Sequence, residues 1–237
     1  MPELAAPKQA QPSGLRLQSS RLCIREFVPY DHVHLKAMHE DARISKSLLD
    51  HLPLDQPGFA SVFTRRMMEI YREYEGLGVW AAEQIKAVLS ESDLANPEVR
   101  ALLSDEALEK YSRPRPHFIG WFNLMPVPSE PDEIELGSRL IPSVWGTGLS
   151  VEGGEMLLNH AFDVLQRDRV WAFCHPQSRS AQYCVYYLGF EYTGTQDYSG
   201  QQAQAFRVNR QNWSLWRRES GKKRKYHAVR ACRALCR

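Results

Sequence analysis

Residues 134–159 read IELGSRLIPSVWGTGLSVEGGEMLLN. Ile134, Leu136 and Leu140 interrupt polar neighbours with a period near two, which predicts a strand. Pro142 ends its ladder, because it has no N–H to donate and its φ is fixed. Gly146 and Gly148 bracket Thr147 in a loop that can take φ > 0 and lets another molecule approach the backbone. From Leu149 the spacing becomes helical, with Met156, Leu157, Ala161 and Leu165 on one apolar stripe. Strand, glycine loop and helix in that order aim free N–H groups and the positive end of the helix dipole at one spot. Such a spot suits an anion, most often phosphate. On the same residues the plain alternative is a tight strand-to-helix turn that binds nothing.

The flanks separate the two. The run P-x-x-W-G-x-G-x-x-x-E, Pro142 to Glu152, resembles the acetyl-CoA pyrophosphate loop of the GNAT acetyltransferases, in the branch that contains the ribosomal-protein N-terminal acetyltransferases. The opening R-L-x-I-R-x-F from Arg21 to Phe27, followed by Asp31, resembles the start of the same branch. The resemblance covers roughly residues 15–216, less an insertion. It implies acetyl-CoA as co-substrate and no metal. Ser143, Val144, Trp145, Gly146, Thr147, Gly148 and Leu149 would lie around its pyrophosphate. The backbone of Arg139, Leu140 and Ile141 would take its pantetheine arm as if it were another strand. Many members have Gln or Arg where this chain has Ser143, so one side-chain contact is lost while a backbone-built site survives.

Composition is that of an ordinary globular chain: 237 residues, 43% hydrophobic and 24% charged, enough for one large domain or two small ones. No apolar run approaches the ~18 residues of a membrane span. The first residues lack an apolar core after a basic start, so no secretion signal is expected. Five cysteines without a C-x-x-C pair suggest reduced thiols in a cytoplasm, with Cys174 and Cys184 as apolar fillers. Cys232 and Cys236, four apart, do not make a zinc site. Charge is uneven: from Arg217 to the end there are nine Lys/Arg and one Glu, +8, which leaves −6 on residues 1–216. A mildly acidic body argues against a nucleic-acid surface there. The basic tail reads as a solvated, disordered extension or as a weak electrostatic contact with RNA or the ribosome.

Along the chain, residues 1–14 read as a disordered lead-in and Leu15 to Phe27 as a first strand. Asp31 is placed to cap a helix through Leu35 and Met38. A second helix runs from about Phe59 to Tyr74, and V-W-A-A-E at Val79–Glu83 makes the second strand. Residues 85–116 form an insertion of short helices, started by Asn96-Pro97 and by Ser104, before a third strand from His117 to Met125. It reads as packing decoration or as a wall over an acceptor pocket. Arg169 to His175 is a strand, Ser180 to Leu188 a helix, and two strands follow. The expected fold is α/β: a GNAT fold with a central twisted mixed sheet of about seven strands flanked by helices, the insertion joining strands 2 and 3. Residues 15–216 form the domain and 217–237 a basic tail.

Acetyl transfer needs a neutral amine, a polarised thioester carbonyl and a protonated leaving thiolate. Glu135 is a candidate base, at an E-[IL]-G position where the resembling family often carries Glu; a solvated strand residue is the plain alternative. His175 ends its strand with a suitable ordinary pKa, or bonds loop backbone. Many members have a Tyr, as acid, where this chain has Val185. Tyr183 is the candidate kept from its three tyrosine neighbours. Ser178 replaces a usual Asn at the start of that helix and could bond pantetheine or thiolate. Glu152 complements the helix dipole. The expected activity is acetyl transfer to a primary amine, most of all a protein N-terminal α-amine. The alternatives are a small-molecule amine (polyamine, amino acid or antibiotic) and a non-catalytic acyl-CoA-binding protein of the same fold.

Overall fold

The computed structural model describes residues 14–45, 48–50 and 52–235. The lead-in expected over residues 1–14 lies outside them except for Gly14, and Cys236 lies outside them too. The strands are β1 (Arg16–Gln18), β2 (Leu22–Arg25), β3 (Gly78–Lys86), β4 (Arg115–Val127), β5 (Glu130–Leu140), β6 (Arg169–Cys174), β7 (Glu191–Tyr198) and β8 (Gln201–Asn209). The helices are α1 (Asp31–His39), α2 (Ala42–Ser45), α3 (Phe59–Glu73), α4 (Glu91–Ala95), α5 (Pro97–Leu102), α6 (Asp105–Ser112), α7 (Leu149–Asn159), α8 (Arg179–Tyr187), α9 (Arg210–Trp216) and α10 (Gly221–Leu235). All eight strands lie in one sheet, ordered β1-β2-β3-β4-β5-β6-β8-β7, and only β5 and β6 run parallel.

The strand expected from Leu15 to Phe27 is two strands, which is why the sheet has eight. Ser19 breaks it: its hydroxyl accepts the N–H groups of Arg21 (3.1 Å) and Leu22 (3.0 Å), and its own N–H donates to Leu22 O (2.8 Å). The insertion therefore joins β3 to β4. Asp31 does not cap α1. It is buried, accepts a two-pronged bond from Arg25 (2.8 and 3.0 Å) and takes the N–H of Val28 (2.8 Å). A buried carboxylate needs such a partner, and the planar guanidinium fork supplies it.

Alternation along the strands feeds two cores. On β4, Phe122 and Leu124 join Ile134, Leu136, Leu157 and Phe206 under α7 and α8. Trp121 points the other way, to Leu35, Met67 and Ile70 under α1 and α3. The pair Gly153-Gly154 lets α7 sit close. A Cβ on Gly153 would lie 2.2 Å from Phe122 Cζ, and one on Gly154 2.6 Å from Leu188 Cδ1. The expected stripe on α7 is present in Leu157 and Ala161, both fully buried, and a π turn at His160–Val164 carries it to the half-buried Leu165.

The insertion starts two of its helices at the expected caps, Asn96 ahead of Pro97 and Ser104, and a third at Ser90, whose capping box to Asp93 was not anticipated. None of α4, α5 and α6 buries a residue, and Leu102 is 83% exposed. Tyr111 ties the segment down, its carbonyl accepting from Val88 and Leu89 N–H at 3.0 Å each.

The reading of the basic tail as a disordered extension is corrected. Residues 221–235 are α10, packed on α8. Arg224, Ala228, Ala231 and Leu235 fall at i, i+4, i+7 and i+11, the stripe of an amphipathic helix. Ala228 is fully buried. Arg224 pairs with Glu155 of α7, donates to Tyr187 O (3.2 Å) and lies over the Tyr187 ring. The lysines at 222, 223 and 225 stay in solvent. Nine basic residues among twenty-one mask this stripe in the composition.

The close approach of α7 predicts that Gly153→Ala lowers stability by about 1–3 kcal/mol, despite the better helix propensity of Ala. A lower urea midpoint with an unchanged m-value is the expected result, because Phe122 is buried and has no room to yield.

Candidate active site

β5 and β6 meet at one register pair, Glu135 with Trp171, among the described residues. Beyond it β5 continues to Leu140 and β6 to Cys174 without pairing, so the sheet opens between them. At the open end the chain turns through a 3-10 turn, Pro142–Val144. Val144 and Leu149 are buried and pin the two ends of the loop, while Ser143 and residues 145–148 stay exposed. Gly146 (φ 77°) and Gly148 (φ 86°) both occupy the left-handed region, so backbone geometry rather than space calls for glycine. α7 starts at Gly148 with no side-chain cap, which leaves its first-turn N–H groups as open donors.

A cation stands beside them. Arg21, half-exposed in the β1–β2 turn, donates to Thr147 O (3.2 Å) and pairs with Glu152, which also accepts from the Ser19 hydroxyl. Glu152 thus ties that turn to the first turn of α7. Open N–H groups, a positive helix end and a guanidinium fit the phosphates of acetyl-CoA.

The expected backbone contacts divide. Ile141 N–H already donates to Ile119 O (2.8 Å) on the β4 side. Strand alternation turns Leu140 toward the opening, and its carbonyl accepts from the indole of the half-exposed Trp145 (2.7 Å). The Arg139 side chain runs into the α1–α3 face. There its guanidinium donates to Asp50 (2.5 Å) and to His39 Nε2 (2.9 Å) and lies 4.6 Å over the Trp121 ring. His39 Nδ1–H donates to Leu35 O (2.8 Å), and the imidazole stacks on Trp121. Burial, opposed by that backbone bond and helped by Arg139, keeps His39 below its ordinary pKa and therefore neutral.

Glu135 shares the Arg139 side of β5 by alternation. Tyr198, at the tip of the β7–β8 hairpin, donates to its Oε1 at 2.7 Å. Oε2 is buried and has no partner. Burial pushes the carboxyl up to about 7, against the Tyr198 bond, which pulls it down. Beside it runs an aromatic wall: Trp171 stacks on Phe173 (6.2 Å), and Phe173 meets Tyr198 (4.8 Å). Glu133 is neutralised at the lower edge by Arg169 (2.6 Å) and accepts from the Trp171 indole (3.0 Å). The solvated-strand alternative for Glu135 does not describe this carboxylate.

The remaining candidates stand elsewhere. His175 Nδ1 accepts the N–H of Gln177 (3.2 Å), the backbone-bonded loop arrangement. Ser178 precedes α8 and makes no side-chain cap. Tyr183 packs near Tyr187 (6.1 Å) on α8, across the sheet from Glu135, where burial raises its phenol. Val185 is buried in the core, and Cys184 contacts Ser150 (3.1 Å) where α8 meets α7. Sequence reasoning missed Arg21 and Tyr198. Arg21 lay in the quoted opening motif without a partner in view, and Tyr198 lies 63 residues from Glu135 with no local pattern to join them.

Comparisons with known proteins bear on the family and the fold. The model of the acetyltransferase (GNAT) domain matches residues 21–191. The fold is similar to that of ribosomal-protein-S5-alanine acetyltransferase from Vibrio fischeri, with TM-score 0.60, 10% identity, and 84% of this chain and 98% of that one covered. It is similar to an acetyltransferase from Agrobacterium tumefaciens (TM-score 0.59, 17% identity, 86% and 99% covered). It is also similar to a GNAT-family acetyltransferase from Bacillus anthracis (0.58, 14%, 83% and 99%). At these identities the likeness concerns the fold.

The loop geometry predicts that Gly148→Val weakens acetyl-CoA binding by at least tenfold in a folded protein, since φ of 86° is strained for a β-branched residue and the donors of α7 would turn away. Arg21→Ala should weaken it less, by a few-fold, and more at low salt than at high. Isothermal titration with acetyl-CoA checks both.

Proposed function

The chain belongs to the GNAT acetyltransferase family, and we propose that it transfers acetyl from acetyl-CoA to the α-amine at a protein or peptide N-terminus, with Glu135 as the base. Acetyl-CoA would be held by the Ser143–Leu149 loop, the first turn of α7, Arg21, and the backbone of β5 where the strands part. The neutral amine attacks the thioester carbonyl carbon; the N–C bond forms, the C–S bond breaks, and the proton shed by nitrogen goes to the Glu135 carboxylate. The departing thiolate takes a proton from a hydroxyl or water in the opening. Tyr183, on the α7–α8 face of the sheet, is the sequence candidate for that donor, and its phenol, raised by burial, holds a proton to give.

The observation that carries this reading is Glu135: half-buried beside the point where the sheet opens, with one oxygen unpartnered and a pKa raised to about 7. A base of that strength is nearly matched to an α-amine at 7.7–8.0, so the proton moves for roughly 1 kcal/mol. A lysine or polyamine nitrogen near 10.4 asks for about 5 kcal/mol. No strong cation-stabilising cluster stands beside Glu135 to offset that, since Glu133 is already paired with Arg169. The name of the Vibrio fischeri neighbour, which specifies a ribosomal-protein alanine, also fits a protein acceptor.

Steady-state kinetics with a short peptide, lysine blocked at its α-amine, and spermine would test the assignment. The peptide should have the highest kcat/KM by tenfold or more, with an acidic limb near pH 7. Glu135→Gln should lose about 10²–10³ in turnover at pH 7 and less at pH 9, where the amine deprotonates itself, with acetyl-CoA affinity kept. Preference for spermine would overturn the acceptor assignment, and a defect independent of pH would return Glu135 to a structural role.

A further inference from the structure

We propose that Tyr198 is the positioning residue for Glu135: by holding Oε1 it fixes the carboxylate plane and leaves Oε2 as the oxygen that meets the amine. The proposal rests on the reading of Glu135 as the base. Its geometry does not. The Tyr198 hydroxyl donates at 2.7 Å to a side chain 63 residues earlier, past β8 and β6, and several features of the hairpin accompany that reach.

The first is a bulge. The β7–β8 register shifts between Tyr192 and Gly194, and Thr193, left unpaired in the ladder, donates its hydroxyl to Ala205 O (3.1 Å). A bulge increases local twist and bends its strand, and this one lies on β7 between its start and the tip that carries Tyr198. The second is the turn. Ser199 (φ 55°) and Gly200 (φ 83°) are both left-handed, the two-residue turn whose twist matches a hairpin, and Asp197 accepts the Gly200 N–H (3.1 Å). Tyr198 and Gln201 form the last pair before that turn, so the phenol sits on formed ladder. The third is the Phe173 ring, 4.8 Å away, which supports the Tyr198 ring from β6.

A carboxylate with one oxygen held has lost its freedom about the last torsion, and its second oxygen keeps a single direction. Tyr198 remains a donor, because burial and the Glu135 charge both hold its phenol above the usual range. Other charged groups near the pair are already engaged. Glu133 of β5 is bonded to Arg169 of β6, Arg207 of β8 lies over Trp171, and Asp50 is bonded to Arg139. Met125, opposite Glu135 on β4, carries no charge, and Asp197 of β7 is taken up by the turn. The balance between burial and the Tyr198 bond therefore sets the proton affinity of Glu135, and removing the hydroxyl should raise it.

Tyr198→Phe keeps the ring on Phe173 and removes the donor. Glu135 can be titrated by carboxyl 13C NMR in parent and variant, with the resonance assigned through Glu135→Gln, alongside pH profiles of kcat/KM for a peptide acceptor. Loss of one bond to a charged acceptor should raise both the NMR titration and the acidic limb by about one pH unit. At pH 9 the variant should recover to within a few-fold of the parent, with acetyl-CoA affinity unchanged. A Tyr198→Phe protein whose titration and limb match the parent, or whose loss is the same at every pH, overturns the proposal. If Glu135→Gln keeps full activity, the base assignment fails and this role fails with it, even where NMR still reports the coupling. If Glu135→Gln is inactive while Tyr198→Phe titrates like the parent, Tyr198 alone is excluded.

Discussion

Two parallel strands that pair once and then separate are the constraint on which the rest of the molecule depends. Unpaired N–H and C=O groups inside a sheet are costly unless something extended can fill the gap, and an edge of this kind is a template for another chain. The opening cannot close by sliding the strands together. Val144 and Leu149 anchor the glycine loop in the core beneath β5, and the Gly153-Gly154 contact fixes α7 against Phe122 and Leu188. With α7 so placed, its uncapped N-terminus faces the outer end of the opening and Glu135 stands at the inner end. One carbonyl of the opening, that of Leu140, is covered by the Trp145 indole. That contact satisfies the group without occupying the space between the strands.

The two faces of the sheet carry different electrostatics. Under α7 and α8 the core is mainly apolar, with the Arg224–Glu155 pair at its margin and buried Cys174 held well above the usual thiol range and so an inert filler. Toward α1 and α3, ionised and polar groups are admitted but paired: Arg25 with Asp31 and Glu83, Arg139 with Asp50 and His39. A buried cation with a carboxylate and an imidazole acceptor on its donors contributes little net stability, though removing one partner would be expensive. Such a cluster holds α1, the segment around Asp50 and β5 in one register. Glu135 is the exception on this face, since its single partner is a neutral phenol.

Much of the site could be read in the sequence because its signals are local. Pro142 as a ladder breaker, Gly146 and Gly148 as left-handed positions, and the caps at Asn96 and Ser104 each follow from the demands of one or two residues on the backbone. The misses have the opposite character. Asp31 looked like a helix cap because capping is local, but a guanidinium on β2 outbid the backbone donors. The split of β1 from β2 turned on the Ser19 hydroxyl in a stretch whose alternation reads as continuous. α10 was hidden by its composition, since the stripe of Arg224, Ala228, Ala231 and Leu235 contains two small residues and a charge. Only the proximity of Glu155 and Tyr187 makes Arg224 an inward-facing residue.

The most telling case is Glu135, where position in the strand was legible and chemical state was not. Whether a strand glutamate is solvated or raised toward neutrality depends on what covers it, and the cover here comes from the far end of the chain. A bulge at Thr193, a left-handed pair at Ser199 and Gly200, and a ring on Phe173 are separately ordinary features of hairpins. Together they carry one phenol to one carboxylate oxygen and leave the other buried without a donor. A fold under selection for stability alone would replace such a group with glutamine or an apolar residue, because an unpartnered buried carboxylate oxygen weakens the native state. Its presence beside the opening is a local conflict between stability and sequence of the kind that collects at sites of chemistry, where the missing donor is supplied by what binds.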